Sequence, residues 1–313
     1  MQTPILTAQP RRRVVSLPSL RGARREAVFG YLFISPWIVG FLCLQLGPML
    51  ASLVISFTDW TLIDPPKYIG LKNYRYVAED PLFERALRVT ATYTLISVPC
   101  GVVLALLIAS LLNRAVRGIG FFRGLFYLPV VVSGVGTAVV WDWVFNPQYG
   151  ILNYLLSLIG VDGPGWLSSP TWALPAMIIL SFWGIGGAIV VFLAALQGVP
   201  RTLYEAAAID GAGRLSSFWN VTVPMVSPAI LFNTIIAIVT SFQAFTYAYV
   251  LTQGGPAYST LFYVYYLYQN AFRWFDMGYA SALAWILFLI IITCTVLLLR
   301  FSRPYVHYEG AAR

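Results

Sequence analysis

The chain has 313 residues, 59% of them hydrophobic and only 10% charged. Soluble domains carry about 25% charged residues, so this composition excludes an ordinary globular protein and overrides the one or two soluble domains that length alone suggests. The net charge of +8 requires no nucleic-acid partner, because membrane orientation accounts for the basic residues.

Residues 1–26 form a basic tail with six arginines (Arg11, Arg12, Arg13, Arg21, Arg24 and Arg25) and no apolar core. The apolar run that follows is too long for a signal-peptide core of about 7–15 residues, so the first span is expected to be retained. Charge-free runs cover Ala27–Thr58, Val89–Asn113, Gly124–Trp141, Gly163–Pro200, Leu215–Phe272 and Met277–Leu299. A membrane helix needs about 20 apolar residues. The fifth run is too long for one span; its start belongs to a polar loop and its end is turn-rich (Thr252-Gln253-Gly254-Gly255-Pro256). The expected fold is therefore all-α and integral to the membrane. Six transmembrane helices lie near 28–57, 87–112, 124–145, 171–197, 227–251 and 277–299, within a domain at 27–300, followed by a tail at 301–313.

Six spans put both termini on one side, together with loops 113–123 and 198–226. That side carries 14 Lys and Arg against 6 on the other, so the positive-inside bias assigns it to the cytoplasm. The basic tail is also suited to anionic membrane lipid. On the outer side, residues 59–85 mix both charges, and Ile151–Ile159 is too short to span and reads as an interfacial helix. Trp141, Trp143, Trp166 and Trp172 fall near span ends, as an aromatic belt requires. Asp142 reads as an interfacial acid reaching water. Cys43, Cys100 and Cys294 each fall inside a span and form neither a ligand spacing nor a disulfide framework.

Loop 198–226 is more closely specified than a connector needs to be. Pro200 ends the preceding helix, and Thr202-Leu203-Tyr204-Glu205 matches a capping box. Residues 203–210 are helix-compatible, and Ala206, Ala207 and Ala208 allow another surface to approach closely. Gly211 and Gly213 suit a helix end with positive φ. Ser216–Asn220 starts a second turn that Pro224 is expected to stop. Local chemistry leaves two readings, a tidy cap in an ordinary loop or a docking element. The cap does not explain the small residues or Asp210-Gly211.

The fifth span carries neutral polar residues among aromatics: Asn233, Thr234, Thr240, Ser241, Gln243, Thr246, Tyr247 and Tyr249. Such residues glue helices together or contact a polar solute. Asn233 and Gln243 are ten residues apart, which is about 1000° around a helix and about 80° off a common face. A single path lined by both does not follow from that spacing. Trp183 adjoins Gly184, Gly186 and Gly187, which permit close packing or local opening. No Lys or Arg falls well inside a span, so a neutral polyhydroxylated solute fits better than an anion.

The chain has no Walker A loop: its only lysines, Lys67 and Lys72, follow Pro66 and Leu71. The sole histidine, His307, is in the tail, and no carboxylate pair or metal-ligand cluster is evident. The reading is not an enzyme. A secondary transporter is the rival, but it calls for membrane-embedded ionisable residues and internal repeats, and neither is clear.

Glu205-Ala206-Ala207, then Gly211, then Val221-Thr222-Val223-Pro224 resembles the signature cytoplasmic loop of ABC importer permeases, with every spacing matched. Ile69-Gly70-Leu71-Lys72-Asn73-Tyr74, Phe145-Asn146-Pro147, Phe242-Gln243-Ala244-Phe245, Leu251–Pro256 and Gly278-Tyr279-Ala280-Ser281-Ala282 are similar to the sugar-permease branch. Thr246 departs from it, standing where many relatives have aspartate. The resemblance implies a type I ABC importer permease fold. It also implies uptake of a di- or oligosaccharide by alternating access, with glycerol-3-phosphate or a glycerophosphodiester as the alternative cargo. ATPase coupling falls by resemblance on Tyr204, Glu205, Ala206, Ala207, Ala208, Asp210, Gly211, Ala212, Phe218 and Pro224. The substrate path is assigned to Trp183, Asn233, Ser241, Gln243 and Tyr247. The implied partners are a second, non-identical permease, two ATPase subunits that bind ATP-Mg, and an extracytoplasmic solute-binding protein, in a prokaryotic plasma membrane. No cofactor is expected in the chain itself.

Overall fold

The computed structural model describes residues 20–114 and 116–306. Most of the basic tail, and His307 with the residues after it, lie outside the described residues. The chain divides into two units, residues 1–54 and 55–313. In the first, α1 (Leu20–Phe41) runs through a π-helical turn at Leu42–Leu46 into α2 (Gly47–Ile55). The most apolar 18-residue window of Arg24–Ile55 has a mean hydropathy of 2.1 and contains no buried residue. A helix that is apolar on every face needs lipid or protein around it.

The second unit opens on a two-stranded antiparallel ribbon, β1 (Thr58–Asp59) with β2 (Lys67–Tyr68), pairing Thr58 with Tyr68 and Asp59 with Lys67. A short helix α3 (Lys72–Glu79) leads into α4 (Pro81–Leu112), the longest helix of the fold. Asp80 starts α4: its carboxylate accepts the Leu82 N–H at 2.9 Å, and Pro81 occupies the first turn, where a missing N–H costs nothing. The chain continues through α5 (Ile119–Val131), α6 (Gly134–Val144), a short exposed helix α7 (Ile151–Leu158), α8 (Ala173–Ser181) and α9 (Gly186–Gly198). Next come α10 (Arg201–Ile209), α11 (Arg214–Ser217), α12 (Val223–Met225) and α13 (Ser227–Phe242). The chain ends with α14 (Tyr263–Tyr268) and α15 (Met277–Ser302).

Three helices are individually long and apolar enough to cross a membrane, Arg24–Ile55, Pro81–Leu112 and Met277–Ser302. Three more crossings are bent pairs. Ile119–Val131 and Gly134–Val144 meet at 103°, Ala173–Gly184 and Gly186–Gly198 at 46°, and Arg214–Met225 and Ser227–Phe242 at 68°. The fold is thus all-α, with helices for six spans. The structure departs from the uninterrupted third, fourth and fifth spans expected from hydropathy. Val132 and Ser133 turn extended between α5 and α6. A 3₁₀ turn at Phe182–Gly184 separates α8 from α9. The fifth helix stops at Phe242 rather than near Leu251, and the chain resumes as a π-helical turn at Ala248–Thr252. No glycine or proline marks that stop. Thr240 bonds back to the Ile236 carbonyl at 2.9 Å, and Ser241 to the Ile238 carbonyl at 2.9 Å. Side chains that compete for helix carbonyls bend and end helices.

α4 is the hub: it contacts α5, α8, α9, α13 and α14. Its buried face is built from small residues, Ala86, Gly101, Ala105 and Ala109, which let neighbouring backbones approach, as membrane interiors favour. At the end opposite the 198–226 loop, polar contacts bind α4 to the last two helices. The Tyr263 N–H donates to Thr90 Oγ1 at 2.8 Å, and the Tyr263 hydroxyl donates to the Leu283 carbonyl at 2.8 Å. Asp80 Oδ2 accepts from the hydroxyls of both Tyr266 and Tyr279, the latter at 2.5 Å. Asp276 caps α15 by accepting the Tyr279 N–H at 3.0 Å. Burial pushes the Asp276 carboxyl above the usual aspartate range.

The glycines of the fourth span separate into two kinds. A Cβ on Gly186 would lie 2.4 Å from the Phe126 carbonyl oxygen and 2.9 Å from Val130, so α9 crosses α5 there in backbone contact. A Cβ on Gly184 or Gly187 would meet nothing within 4 Å. Gly186→Ala is expected to destabilise the detergent-solubilised protein by about 1–3 kcal/mol through overpacking. Gly187→Ala is expected to be neutral or stabilising, since it removes a helix-interior glycine. Thermal denaturation of the two variants beside the parent checks the contrast.

Candidate functional site: a cavity at three helix breaks and an exposed helix–turn–helix

A cavity of about 790 Å³ lies between α4, the fourth span and α13. Its lining includes Gly134 from the α5–α6 break, Phe182, Gly184 and Ile185 from the α8–α9 break, and Gln243–Tyr247 from the stop after α13. All three departures from straight helix therefore converge on one space. Backbone that leaves the helix at membrane depth must be covered by protein or must line a wet cavity. The remaining walls are Tyr93, Ser97 and Gly101 on α4 and Asn233, Ile236, Thr240 and Ser241 on α13, with others between them. Among the described residues, no Asp, Glu, Lys or Arg lines it.

Four of the five residues assigned to the path line this cavity: Asn233, Ser241, Gln243 and Tyr247. The 80° offset between Asn233 and Gln243 does not separate them, because α13 has ended before Gln243. Asn233 is buried and donates its amide to the Ala229 carbonyl at 3.0 Å. Ser241 donates to Thr94 at 3.0 Å and braces α13 against α4. Trp183 is placed elsewhere: it does not line the cavity, is exposed, and meets Trp141 edge to face at 5.9 Å. Thr246 also lines the cavity, and a Cβ on Gly134 would touch its methyl group at 3.4 Å. Sequence reasoning missed the contributions of α4, Tyr93 and Ser97. Their spacing of four residues, which places them on one helix face, is the signal that marks them.

The 198–226 loop is a short helix, a turn and a second short helical segment. Two details differ from the sequence reading. α10 begins at Arg201 with Pro200 as its cap residue and no side-chain cap bond, so Thr202 sits inside the helix and the capping box does not form. Proline at residue 200 fixes the extended backbone that starts the helix two residues earlier than a Thr202 cap would. Pro224 does not stop the second segment; it lies in the first turn of α12, and the chain bends after it, at Val226. Gly213 is extended, with φ −71 and ψ 171, and only Gly211 takes positive φ, at +79.

Gly211 closes a Schellman motif. The Ala212 N–H donates to the Ala207 carbonyl at 2.8 Å and the Gly211 N–H to the Ala208 carbonyl at 3.1 Å. Tyr204 and Phe218 point away from solvent and pack on the cluster of Ala105, Ala109, Phe192, Leu196 and Val226. Tyr204 also shares a 3.0 Å hydrogen bond with buried Thr222. Glu205, Ala206, Ala208 and Asp210 are exposed, Ala207 and Ala212 half-buried. Glu205 forms no ion pair among the described residues. Ile209, 87% exposed, and Trp219, 61% exposed, extend an apolar surface beside the alanines that the sequence reading did not single out. An isoleucine and a tryptophan in a loop of small polar residues are the pattern that reveals them.

Residues 90–306 match the family described as binding-protein-dependent transport system inner membrane component. The chain is 42% identical to the probable ABC transporter permease protein YesP of Bacillus subtilis (strain 168), over 93% of this chain and 95% of that one. It is 32% identical to the trehalose/maltose transport system permease protein MalF of Thermococcus litoralis, over 89% and 95% of the two chains. In fold it resembles a chain of a bacterial alginate ABC transporter crystallised with its alginate-bound periplasmic protein, with a TM-score of 0.80, 24% identity and coverage of 91% and 97%. With most of its length matched and relatives above 30% identity across both chains, this chain belongs to the binding-protein-dependent inner membrane components, the permease subunits of ABC transporters.

Proposed function

We propose that the chain is one permease half of an ATP-driven importer that moves a neutral sugar of di- or oligosaccharide size by alternating access. The observation that carries this reading is the cavity of about 790 Å³, whose largely apolar and aromatic wall carries the hydroxyl residues Tyr93, Ser97, Thr240 and Ser241 and the amides Asn233 and Gln243, with no Asp, Glu, Lys or Arg among the described residues. Amides and hydroxyls both donate and accept hydrogen bonds, as sugar hydroxyls require. Glycerol-3-phosphate or a glycerophosphodiester would leave its phosphate without a counter-charge in this wall. Relatives named for trehalose/maltose and for lactose transport support the same class of cargo.

In this reading the 198–226 loop faces the cytoplasm and docks on a separate ATPase. Ala206, Ala207, Ala208 and Ile209 fill the receiving groove, and Glu205 and Asp210 set the charge around it. Gly211 and Ala212 fix the turn between the two helical segments. Tyr204, Phe218 and Pro224 act from inside, anchoring the loop to the spans. Two ATPase subunits bind ATP-Mg, a second and non-identical permease completes the path, and a solute-binding protein delivers the sugar from outside. The chain sits in a prokaryotic plasma membrane with both termini cytoplasmic, in line with the 14 to 6 distribution of basic residues.

Two outcomes test this. A β-branched residue with positive φ costs about 1–2 kcal/mol, so Gly211→Val is expected to deform the docking turn. Sugar-stimulated ATP hydrolysis by the reconstituted complex should fall about tenfold, whereas Gly211→Asn, which tolerates positive φ, should keep most of it. Equal stimulation in both assembled variants would remove the loop from coupling. Separately, ATPase stimulation is measured with maltose, trehalose, lactose and glycerol-3-phosphate, each with its delivering protein. At least one neutral sugar should stimulate and glycerol-3-phosphate should not; stimulation by the phosphate alone would sink the sugar reading.

A further inference from the structure

The cavity continues into an aromatic run that neither the resemblance nor the family assigns. Phe245 lines the cavity and stacks on Tyr249, ring centroids 5.3 Å apart and planes within 24°. Both rings meet Tyr268, at 5.2 and 5.4 Å, and Tyr268 meets Phe272 at 5.3 Å. The four rings form an unbroken ladder from the cavity wall to the protein surface. Tyr249 is 44% exposed and Phe272 57%. The ladder lies beyond the far end of α13, opposite the 198–226 loop, and so at the extracytoplasmic mouth in the orientation proposed above.

Backbone geometry makes the ladder. Tyr249 lies in the π-helical turn Ala248–Thr252 and Phe272 in the π-helical turn Gln269–Arg273. A π turn re-aims side chains and recurs at functional sites. Here Phe245 and Tyr249, and likewise Tyr268 and Phe272, are spaced by four residues, and the two pairs face each other. Polar groups flank the rings: the Tyr249 and Tyr268 hydroxyls are neighbours, and the Gln269 amide donates to the Tyr265 hydroxyl at 3.1 Å. Exposed aromatic faces edged by hydroxyls and amides match a sugar ring, which offers C–H groups on its faces and hydroxyls around its rim. An interfacial aromatic belt holds single rings at headgroup level; it does not require four rings in mutual contact reaching from the surface into a cavity.

We propose that Phe245, Tyr249, Tyr268 and Phe272 are an entrance subsite that binds sugar rings by stacking and passes them from the mouth to the cavity. The proposal rests on the sugar-permease reading and extends it to residues outside the cavity wall proper. The test is uptake of radiolabelled maltose, trehalose and lactose by the complete complex in liposomes, with its delivering protein. Phe272→Leu and Tyr249→Leu keep apolar bulk and lose the aromatic face. Each is expected to lower uptake of the transported sugar about five- to tenfold, the worth of one aromatic contact. Phe272→Trp should retain uptake, and Phe288→Leu, an exposed aromatic elsewhere on α15, should leave it unchanged. Size-exclusion chromatography reports assembly of each complex. Wild-type uptake in the assembled leucine variants would overturn the ladder alone, as would loss of assembly in them, which would make the rings a subunit interface. A wild-type complex that takes up none of the three sugars would overturn both the ladder and the sugar reading.

Discussion

In a bilayer every backbone N–H and C=O must find its partner within the protein, because lipid supplies none. That constraint makes the three helix interruptions the organising feature of this fold. Interruptions facing lipid would leave unpaired polar groups at a cost of several kcal/mol each. Here the α5–α6 break, the 3₁₀ turn before α9 and the stop after α13 all contribute to one cavity wall. The space they enclose has a mostly apolar wall into which serines, threonines and amides are set beside the interrupted backbone. The straight spans do the opposite work: α4 presents small residues to its neighbours, and Gly186 brings α9 onto the α5 backbone.

Much of this was legible in the sequence. Charge-free runs of span length place six crossings, and the specified loop between two of them stands out through Glu205, Gly211 and Pro224. Hydropathy did not reveal the breaks, since it averages over a window and is blind to two extended residues such as Val132 and Ser133. The stop after α13 carries no proline or glycine; it depends on Thr240 and Ser241 bonding to helix carbonyls and on Ser241 reaching Thr94 across the interface. Tertiary partners of that kind have no local signature. The helical-wheel argument about Asn233 and Gln243 failed for the same reason, because it assumed a helix where none continues. Trp183, placed among glycines, does not line the cavity; it lies in the 3₁₀ turn, exposed and against Trp141.

The loop and the cavity are joined by one rigid element. α13 has 16 residues and spans about 24 Å. Its start is the bend at Val226, and its end is the stop at Gln243. At the loop end, Tyr204, Phe218 and Met225 pack on Val226 and on the α4 and α9 residues Ala105, Ala109, Phe192 and Leu196. The loop therefore does not hang from the spans; its inward side is part of their core, and its outward side, with Ile209 and Trp219, is left for another surface.

The loop is connected to the cavity through packed side chains rather than through flexible chain. α13 carries Asn233, Thr240 and Ser241 along the cavity wall, and Ser241 holds it to α4 through Thr94. At the far end, by contrast, α4, α14 and α15 are locked together by Asp80 with Tyr266 and Tyr279 and by Thr90 with Tyr263. α13 is packed against α4 and α15 and ends at the turn Gln243–Phe245, where the Ala244 N–H donates to the Ser241 carbonyl at 3.2 Å. The break in the backbone after Phe242 is the turn that links the cavity to the aromatic rings beyond it. Gln243, Ala244 and Phe245, the residues of that break, all line the cavity, so the interrupted backbone is covered by protein or faces the cavity rather than lipid.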